Sequence, residues 1–69
     1  MIILYHQDGC GQCRMAEILL KQEKIEFEGC KDIEVMQAKG ITRTPTLDTG
    51  TELIFGAKAI KEWLETREK

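Results

Sequence analysis

The sequence predicts a single α/β domain over residues 1–69, in which a mixed four-stranded sheet is flanked by three helices in the order βαβαββα. Three observations predict this class. Short β-favouring runs alternate with helix-forming runs in the first half of the chain, which implies two parallel strands joined by a helix. A short polar turn separates the last two predicted strands, which implies an antiparallel pair. A chain of 69 residues is too short for a second domain.

The first half of the chain is predicted to form a strand, a helix and a strand. Residues 2–5 are apolar and end in a polar, glycine-containing turn, which is typical of a strand buried on both faces. Residues 11 to about 23 are good helix formers. The predicted inward face of that helix, spaced i, i+3, i+4 and i+7, comprises Met15, Ile18, Leu19 and Gln22. Residues 25–28 alternate apolar and charged side chains, as a strand with one covered face does.

A short second helix is predicted between the second and third strands. Asp32 can cap it, and Gly40 fits the position just after its end. Ile33 and Met36 are predicted to share its inward face.

The last part of the chain is predicted to be a hairpin followed by a helix. Residues 44–47 and 52–55 form the two strands, residues 48–50 form the polar turn, and Gly56 closes the pair. A helix follows over about residues 57–66. Its predicted inward face comprises Ile60, Trp63, Leu64 and Arg67.

Composition excludes several classes of partner. The net charge of −2, with 32% charged residues, leaves no basic surplus for nucleic acid. No apolar run reaches membrane-spanning length, and the five apolar residues at the start lack the basic flank of a signal peptide. The odd count of three cysteines fits a secreted disulfide scaffold poorly. We therefore expect a cytoplasmic monomer that binds neither nucleic acid nor membrane.

Cys10 and Cys13 are the candidate catalytic residues. Residues three apart at a helix start lie about 5 Å apart at Cα, within the range in which a disulfide closes. If Cys10 caps the helix, its sulfur faces unpaired N–H groups and the positive end of the helix dipole, which favour thiolate. Cys10 is then the nucleophile, and Cys13, one turn inside, is the resolving thiol.

Two other interpretations of the pair stay open. A zinc site needs four ligands and would use all three cysteines together with His6. Alternatively, the pair is buried sulfur in the core, although glycines on both sides of Cys10 indicate a turn.

Three sequence features resemble those of a known family. They are Cys10-Gly11-Gln12-Cys13 after the first strand, Thr44-Pro45 before the third, and Gly56 ahead of the last helix. The chain resembles the thioredoxin-like superfamily over nearly its whole length. It is close to glutaredoxins and to the glutaredoxin-like redoxins that supply electrons to ribonucleotide reductase. The resemblance implies a thioredoxin-like fold and a cis Thr44–Pro45 bond beside the cysteines.

The resemblance also implies an activity, dithiol–disulfide exchange with no bound cofactor. Its substrate is a disulfide-containing protein, with ribonucleotide reductase as the leading candidate, and its electron donor is thioredoxin reductase or glutathione. The implied substrate-binding residues are Tyr5, Gly11, Gln12, Thr44, Pro45 and Gly56. For Tyr5, core packing is an equal alternative. An iron–sulfur carrier, with Cys10 of two subunits and glutathione as ligands, and a non-catalytic thioredoxin-fold adaptor are the other functions considered.

Several residues near the pair admit more than one interpretation. Arg14 either holds the thiolate or is solvated, and Asp8 either opposes the thiolate, handles protons with His6, or is a polar loop residue. Cys30, which follows the second predicted strand, is interpreted as a passive, buried or half-buried thiol, with a regulatory disulfide or a third metal ligand as the alternatives.

Overall fold

A computed structural model describes residues 2–67. Seven elements follow one another in the predicted order βαβαββα. They are β1 (Ile3–Tyr5), α1 (Gly11–Gln22), β2 (Glu28–Cys30), α2 (Ile33–Ala38), β3 (Thr46–Asp48), β4 (Leu53–Phe55) and α3 (Ala57–Arg67). Within the described residues, no helix has the length and apolar character needed to span a membrane.

The sheet is mixed, as predicted. Its strands lie in the order β2-β1-β3-β4. β1 runs parallel to β2, with Leu4 opposite Gly29, and antiparallel to β3, with Leu4 opposite Leu47. β4 returns antiparallel to β3, with Ile54 opposite Leu47. β1 and β3 are therefore the central strands. Because they are antiparallel, the residues that follow β1 and those that precede β3 lie together at the middle of one end of the sheet.

The two faces of the sheet bury two separate cores. Adjacent residues of a strand point to opposite faces, so Leu4 and Tyr5 of β1 enter different cores, at 0% and 1% exposure. The first core lies under α1 and α3 and comprises Leu4, Ala16, Leu20, Leu47, Ile54, Ile60 and Leu64. The second lies under α2 and comprises Tyr5, Met36 and Ile41. The prediction of a first strand buried on both faces is confirmed.

The predicted inward face of α1 is confirmed only at Leu19, which packs against the first core, and is wrong at Met15, Ile18 and Gln22, which are exposed. The buried residues are Cys13, Ala16 and Leu20, whereas Met15 is 53% exposed and Ile18 is 45% exposed. Both stripes have helical spacing, so periodicity alone does not separate them. The buried stripe contains Ala16 at 0% exposure, and this small side chain lets the helix pack closely on the sheet.

Two other predicted faces need partial correction. Met36 of α2 is buried, but Ile33, predicted to share its face, is 54% exposed. In α3, Ile60 and Leu64 are buried and Trp63 is half-buried. Arg67 is exposed and lies over the Trp63 ring, 5.0 Å from its centroid, so it contacts the core side chain from the solvent side.

Strand boundaries differ from the prediction for identifiable reasons. The second strand was predicted at residues 25–28, but pairing begins only where the Glu28 N–H donates to the Ile2 carbonyl at 2.9 Å. Ile25 and Phe27 instead pack as half-buried side chains against the first core. The third strand begins at Thr46 and not at residue 44, because Pro45 has no N–H for the ladder.

The ends of α2 form as predicted. Asp32 caps the helix, and its Oδ1 accepts hydrogen bonds from the backbone N–H of Glu34 at 3.0 Å and of Val35 at 3.4 Å. Gly40 follows the C-terminal residue Lys39 with φ +76°, a conformation that glycine adopts without strain.

Candidate functional site

Cys10 is the N-cap residue of α1, as the sequence predicts. Its backbone is extended, with φ −93° and ψ 108°, and the helix begins at Gly11. The Cys10 Sγ atom accepts a hydrogen bond from the backbone N–H of Cys13 at 3.1 Å, and its carbonyl accepts one from Arg14 at 3.2 Å. The sulfur thus takes the place that a serine or aspartate oxygen holds at an ordinary N-cap. No acidic side chain lies in the first turn of α1.

Cys10 and Cys13 are joined as a disulfide in the structure. Their Cα atoms are 5.2 Å apart, close to the predicted separation. Cys13 is only 2% exposed, because it lies on the inner face of α1, while Cys10 is half-buried. The pair is therefore approached from solvent through Cys10.

The segment before β3 lies against the cysteine pair. The Thr44–Pro45 peptide bond is cis, which confirms that expectation. Thr44 Oγ1 lies 3.9 Å from Cys10 Sγ, a contact between residues 34 positions apart in the chain. The Pro45 carbonyl accepts a hydrogen bond from Gly56 N–H at 2.8 Å, and the buried Thr46 hydroxyl donates to the Arg43 carbonyl at 2.7 Å. These bonds hold the segment in place from both sides.

The backbone of Thr44 has no hydrogen-bond partner among residues 2–67. Its N–H donor and carbonyl acceptor therefore remain for another molecule, since an unpaired backbone group normally finds a partner in water or in a bound chain. Because Thr44 contacts Cys10, this unpaired backbone lies beside the sulfur that faces solvent.

The predicted substrate-binding residues occupy three kinds of position. Gly11 and Gln12 are exposed at the start of α1. A shallow depression beside the pair is lined by Gly9, Cys10, Gly11 and Arg14. Pro45 is buried, and Gly56, with φ +91°, links β4 to α3 while its N–H donates to the Pro45 carbonyl. Their contacts with a substrate stay predictions.

Tyr5 lies in the core under α2, in agreement with the core-packing interpretation. At 1% exposure its side chain has almost no surface for a substrate. Its ring faces Lys39, whose Nζ lies 6.0 Å from the ring centroid and also pairs with Asp48 at 3.3 Å. The neighbouring Tyr5 and then the ion pair with Asp48 raise the pKa of Lys39. The Gly50 N–H, and to a smaller extent Lys39, lower the pKa of Asp48.

The charged residues near the pair are exposed. Asp8 forms an ion pair with Lys31 at 3.4 Å, and both side chains are mostly solvated. Lys31, which the sequence did not connect with the site, therefore offsets part of the negative charge that Asp8 brings near Cys10. Arg14 is exposed and borders the depression beside Cys10.

His6 follows β1 and Cys30 ends β2, and the backbones of these two residues lie side by side. His6 N–H donates to the Cys30 carbonyl at 2.9 Å. The imidazole lies over Gly29, where an added Cβ would meet His6 Nε2 at 2.9 Å. Cys30 is a free, half-buried thiol that packs against the core under α2. Among residues 2–67, no three His, Cys, Asp or Glu side chains converge as metal ligands.

A groove adjoining the site has no counterpart in the sequence predictions. It runs between α2 and the segment before Pro45 and is lined by Gln7, Ile33, Met36, Gln37, Ile41, Thr42, Arg43 and Thr44. Five of these residues lie outside regular elements and the other three lie in α2, a helix of six residues, so no sequence pattern connects them. Ile33, which the sequence places on the inward face of α2, is 54% exposed at this groove.

No family model matches this chain, and neither a curated protein nor a solved structure matches it. The interpretation of the site therefore depends on its own geometry.

Proposed function

We propose that this protein is a dithiol–disulfide oxidoreductase that reduces disulfides of other proteins through Cys10 and Cys13. In the first step the Cys10 thiolate attacks one sulfur of the partner's disulfide. The partner's S–S bond breaks, a mixed disulfide forms, and the other partner sulfur leaves as a thiolate that takes a proton from solvent.

The second step releases the reduced partner. Cys13 loses its proton to solvent, and its thiolate attacks Cys10 Sγ. The mixed disulfide breaks, the partner's remaining sulfur leaves as a thiolate, and the Cys10–Cys13 disulfide forms. Two electrons have passed to the partner, and a reductant must return two electrons before the next cycle. Thioredoxin reductase and two molecules of glutathione are the candidate donors, and no bound cofactor is needed.

The observation that carries this proposal is the hydrogen bond from Cys13 N–H to Cys10 Sγ at the N-terminus of α1. A thiolate at this position accepts the same bond and lies at the positive end of the helix dipole. Both interactions stabilise the thiolate more than the thiol, and the thiolate is the nucleophile in disulfide exchange. The difference in burial supports the division of roles, since Cys10 is half-buried and Cys13 is 2% exposed.

The unpaired backbone of Thr44 supports binding of an extended partner chain. An extended segment that carries the target disulfide can pair with the Thr44 N–H and carbonyl, in the manner of a strand added at a sheet edge. That pairing aligns the partner's sulfur with Cys10, because Thr44 Oγ1 lies 3.9 Å from Cys10 Sγ. Orientation of this kind contributes to rate by replacing a random encounter with a positioned one.

We assign the chain a thioredoxin-like fold within this proposal. The order β2-β1-β3-β4, the cis Thr44–Pro45 bond and the Cys-x-x-Cys pair at the start of α1 support it. We also place the activity in the cytoplasm, where reductants keep such a pair cycling, and propose that the protein acts as a monomer. Ribonucleotide reductase is a candidate protein substrate.

Trapping of the mixed disulfide tests the proposal. With an insulin disulfide as substrate and dithiothreitol as electron source, Cys10→Ser abolishes turnover because no nucleophile remains. Cys13→Ser, reduced and then freed of dithiothreitol before mixing, still attacks but cannot resolve, so it accumulates a covalent complex with the substrate. Cys30→Ser is the matched control and retains turnover, since Cys30 has no step in the mechanism.

Turnover by Cys10→Ser at the wild-type rate would contradict the proposal. Visible absorption of the freshly purified protein, lost on oxidation of a bound cluster, would instead favour an iron–sulfur carrier. An adaptor without activity would show neither turnover nor a trapped complex.

A further inference from the structure

The solvent face of α1 carries an apolar strip that begins at the cysteine pair. We define the α1 strip as Met15 and Ile18 together with the flanking basic residues Arg14 and Lys21. Met15 is 53% exposed and Ile18 is 45% exposed, and the two lie three residues apart on one face of the helix. Arg14 and Lys21, both exposed, lie four residues before and three residues after Ile18 on the same side.

The charge of the α1 strip is opposite in sign to that of the whole chain. The chain has a net charge of −2, yet the strip holds two basic residues and no acid. The single acid of α1, Glu17, is half-buried and forms no ion pair with Arg14 or Lys21. The strip therefore complements an apolar side chain that is flanked by carboxylates.

The position of the α1 strip defines how far a partner must extend. An α-helix rises 1.5 Å per residue, so Ile18 lies about 12 Å along the axis from Cys10 and Lys21 about 16 Å. A small disulfide at Cys10 cannot reach that far. A protein or a peptide with an arm of about eight helical residues can.

We propose that the α1 strip binds the protein substrate, through an apolar residue flanked by acidic residues about 12–16 Å from the substrate's disulfide. This inference depends on the proposed redox function and adds the substrate class. A second copy of this chain is the less favoured occupant. If two α1 strips packed antiparallel, Arg14 of one copy would face Lys21 of the other, and the two positive charges would repel. An acidic partner instead meets both basic residues with opposite charge.

Three synthetic peptides with one intramolecular disulfide test the inference. The acidic peptide has an eight-residue helical arm with a leucine flanked by two glutamates, the basic peptide has lysines in their place, and the third has no arm. The measurement is kcat/KM for reduction of each peptide by the reduced protein at low salt, where ion pairs are least screened. We expect the acidic peptide to be reduced about two- to fivefold faster than the basic one, the range given by exposed ion pairs.

Strip variants identify where the preference originates. Lys21→Glu should remove or invert the ratio between the acidic and basic peptides, and Ile18→Ser should lower the rate for both armed peptides. The matched controls are Lys61→Glu on α3 and Phe55→Ser on β4, which alter an exposed lysine and a 41% exposed apolar residue elsewhere. The peptide without an arm should be reduced equally by all variants, which excludes damage to the cysteine pair.

Several results would overturn the inference. If the acidic and basic peptides react equally, or their ratio survives Lys21→Glu and Ile18→Ser, the strip is not a substrate-binding surface. If sedimentation shows a dimer that Ile18→Ser dissociates, a second copy occupies the strip. If even the peptide without an arm is not reduced, the proposed redox function fails, and this inference fails with it.

Discussion

Cys10 both caps α1 and forms the accessible half of the disulfide. A capping side chain normally gives up reactivity, because its lone pairs are bound to backbone N–H groups. In Cys10 that same bond, from Cys13 N–H at 3.1 Å, favours the charged form of the sulfur. Under the proposed function, the hydrogen bond that caps the helix also activates the Cys10 thiol.

The first prediction concerns the reactivity of Cys10 in the reduced protein. We expect iodoacetamide to alkylate Cys10 with a midpoint below about 8.5, the value of a free thiol, because the helix terminus stabilises the thiolate. Peptide mass mapping over a pH series measures it, with glutathione in the same solutions as the unperturbed control. A midpoint at or above that of glutathione would refute activation.

The second prediction concerns Asp48. Its pKa lies below the ordinary 3.8, so its contribution to stability is present above pH 3.8 and is lost as pH falls through the lowered value. Asp48→Asn keeps the acceptor for Gly50 N–H but loses the charge that faces Lys39. We expect this variant to be less stable at pH 7 by no more than about 1 kcal/mol. Urea unfolding should show that the difference disappears as the pH falls below 3.8 and the carboxyl group becomes protonated, and a constant difference would contradict the assignment.

At the scale of elements, the junction between β4 and α3 supports the site. Gly56 has φ +91°, its N–H holds the Pro45 carbonyl at 2.8 Å, and its own carbonyl accepts the first bond of α3 from Ile60. The segment before β3 is thereby coupled to the start of α3. A strained residue here disturbs the neighbourhood of Thr44 as well as the helix.

The third prediction tests that junction. Gly56→Ala meets no atom within 4 Å, so its cost comes from the backbone conformation alone. We expect a loss of roughly 1–2 kcal/mol in the free energy of unfolding. Gly11→Ala is the matched control, since it also meets no atom within 4 Å but has no positive φ, and it should be neutral or slightly stabilising. Equal effects of the two substitutions would contradict the explanation.

Element order was predictable from the sequence, but the orientation of α1 was not. Capping residues indicate where a helix begins and ends, and Asp32 and Gly40 delimit α2 as predicted. The orientation of α1 depends on which of its two apolar stripes packs better on the sheet. Ala16, which is buried, adds little to a hydrophobicity pattern because its side chain is small. Met15 and Ile18 are predicted to face inward from their i, i+3 spacing, and they are residues that the fold leaves exposed.

The site was predictable where its parts are local in sequence. The spacing of Cys10 and Cys13 gives their 5.2 Å separation directly. The placement of Thr44 beside Cys10 was expected only through the family resemblance, since no local rule relates residues 34 positions apart. The pairing of Asp8 with Lys31 and the burial of the Tyr5 ring under α2 depend on how β1 and β2 meet, which the sequence does not specify.

At the scale of the whole molecule, β3 connects the cores to the site. Leu47 is fully buried between Leu4 and Ile54 of the neighbouring strands, and the residues just before β3 contact Cys10. A domain of 69 residues has a total stability of roughly 3–10 kcal/mol, so one central side chain is a large fraction of it.

The fourth prediction follows from this small free energy of unfolding. Leu47→Ala should lower the free energy of unfolding by about 2–5 kcal/mol, through lost transfer energy and the cavity left between the strands. Ile33→Ala, which alters a 54% exposed residue, should change it by only about 0.5 kcal/mol. Thermal or urea unfolding measures both. A similar small effect of the two substitutions would show that β3 is not the centre of the core.

The contact between Thr44 and Cys10 has a consequence for synthesis. A nascent chain exposes both cysteines to the cell before the residues around Thr44 have emerged, because Thr44 lies 34 positions after Cys10. During that interval no unpaired backbone lies beside the sulfur to receive a partner. Under the proposed function, selective disulfide exchange therefore begins only when β3 joins the sheet. Folding of β3 is the step after which the cysteine pair can bind a partner chain.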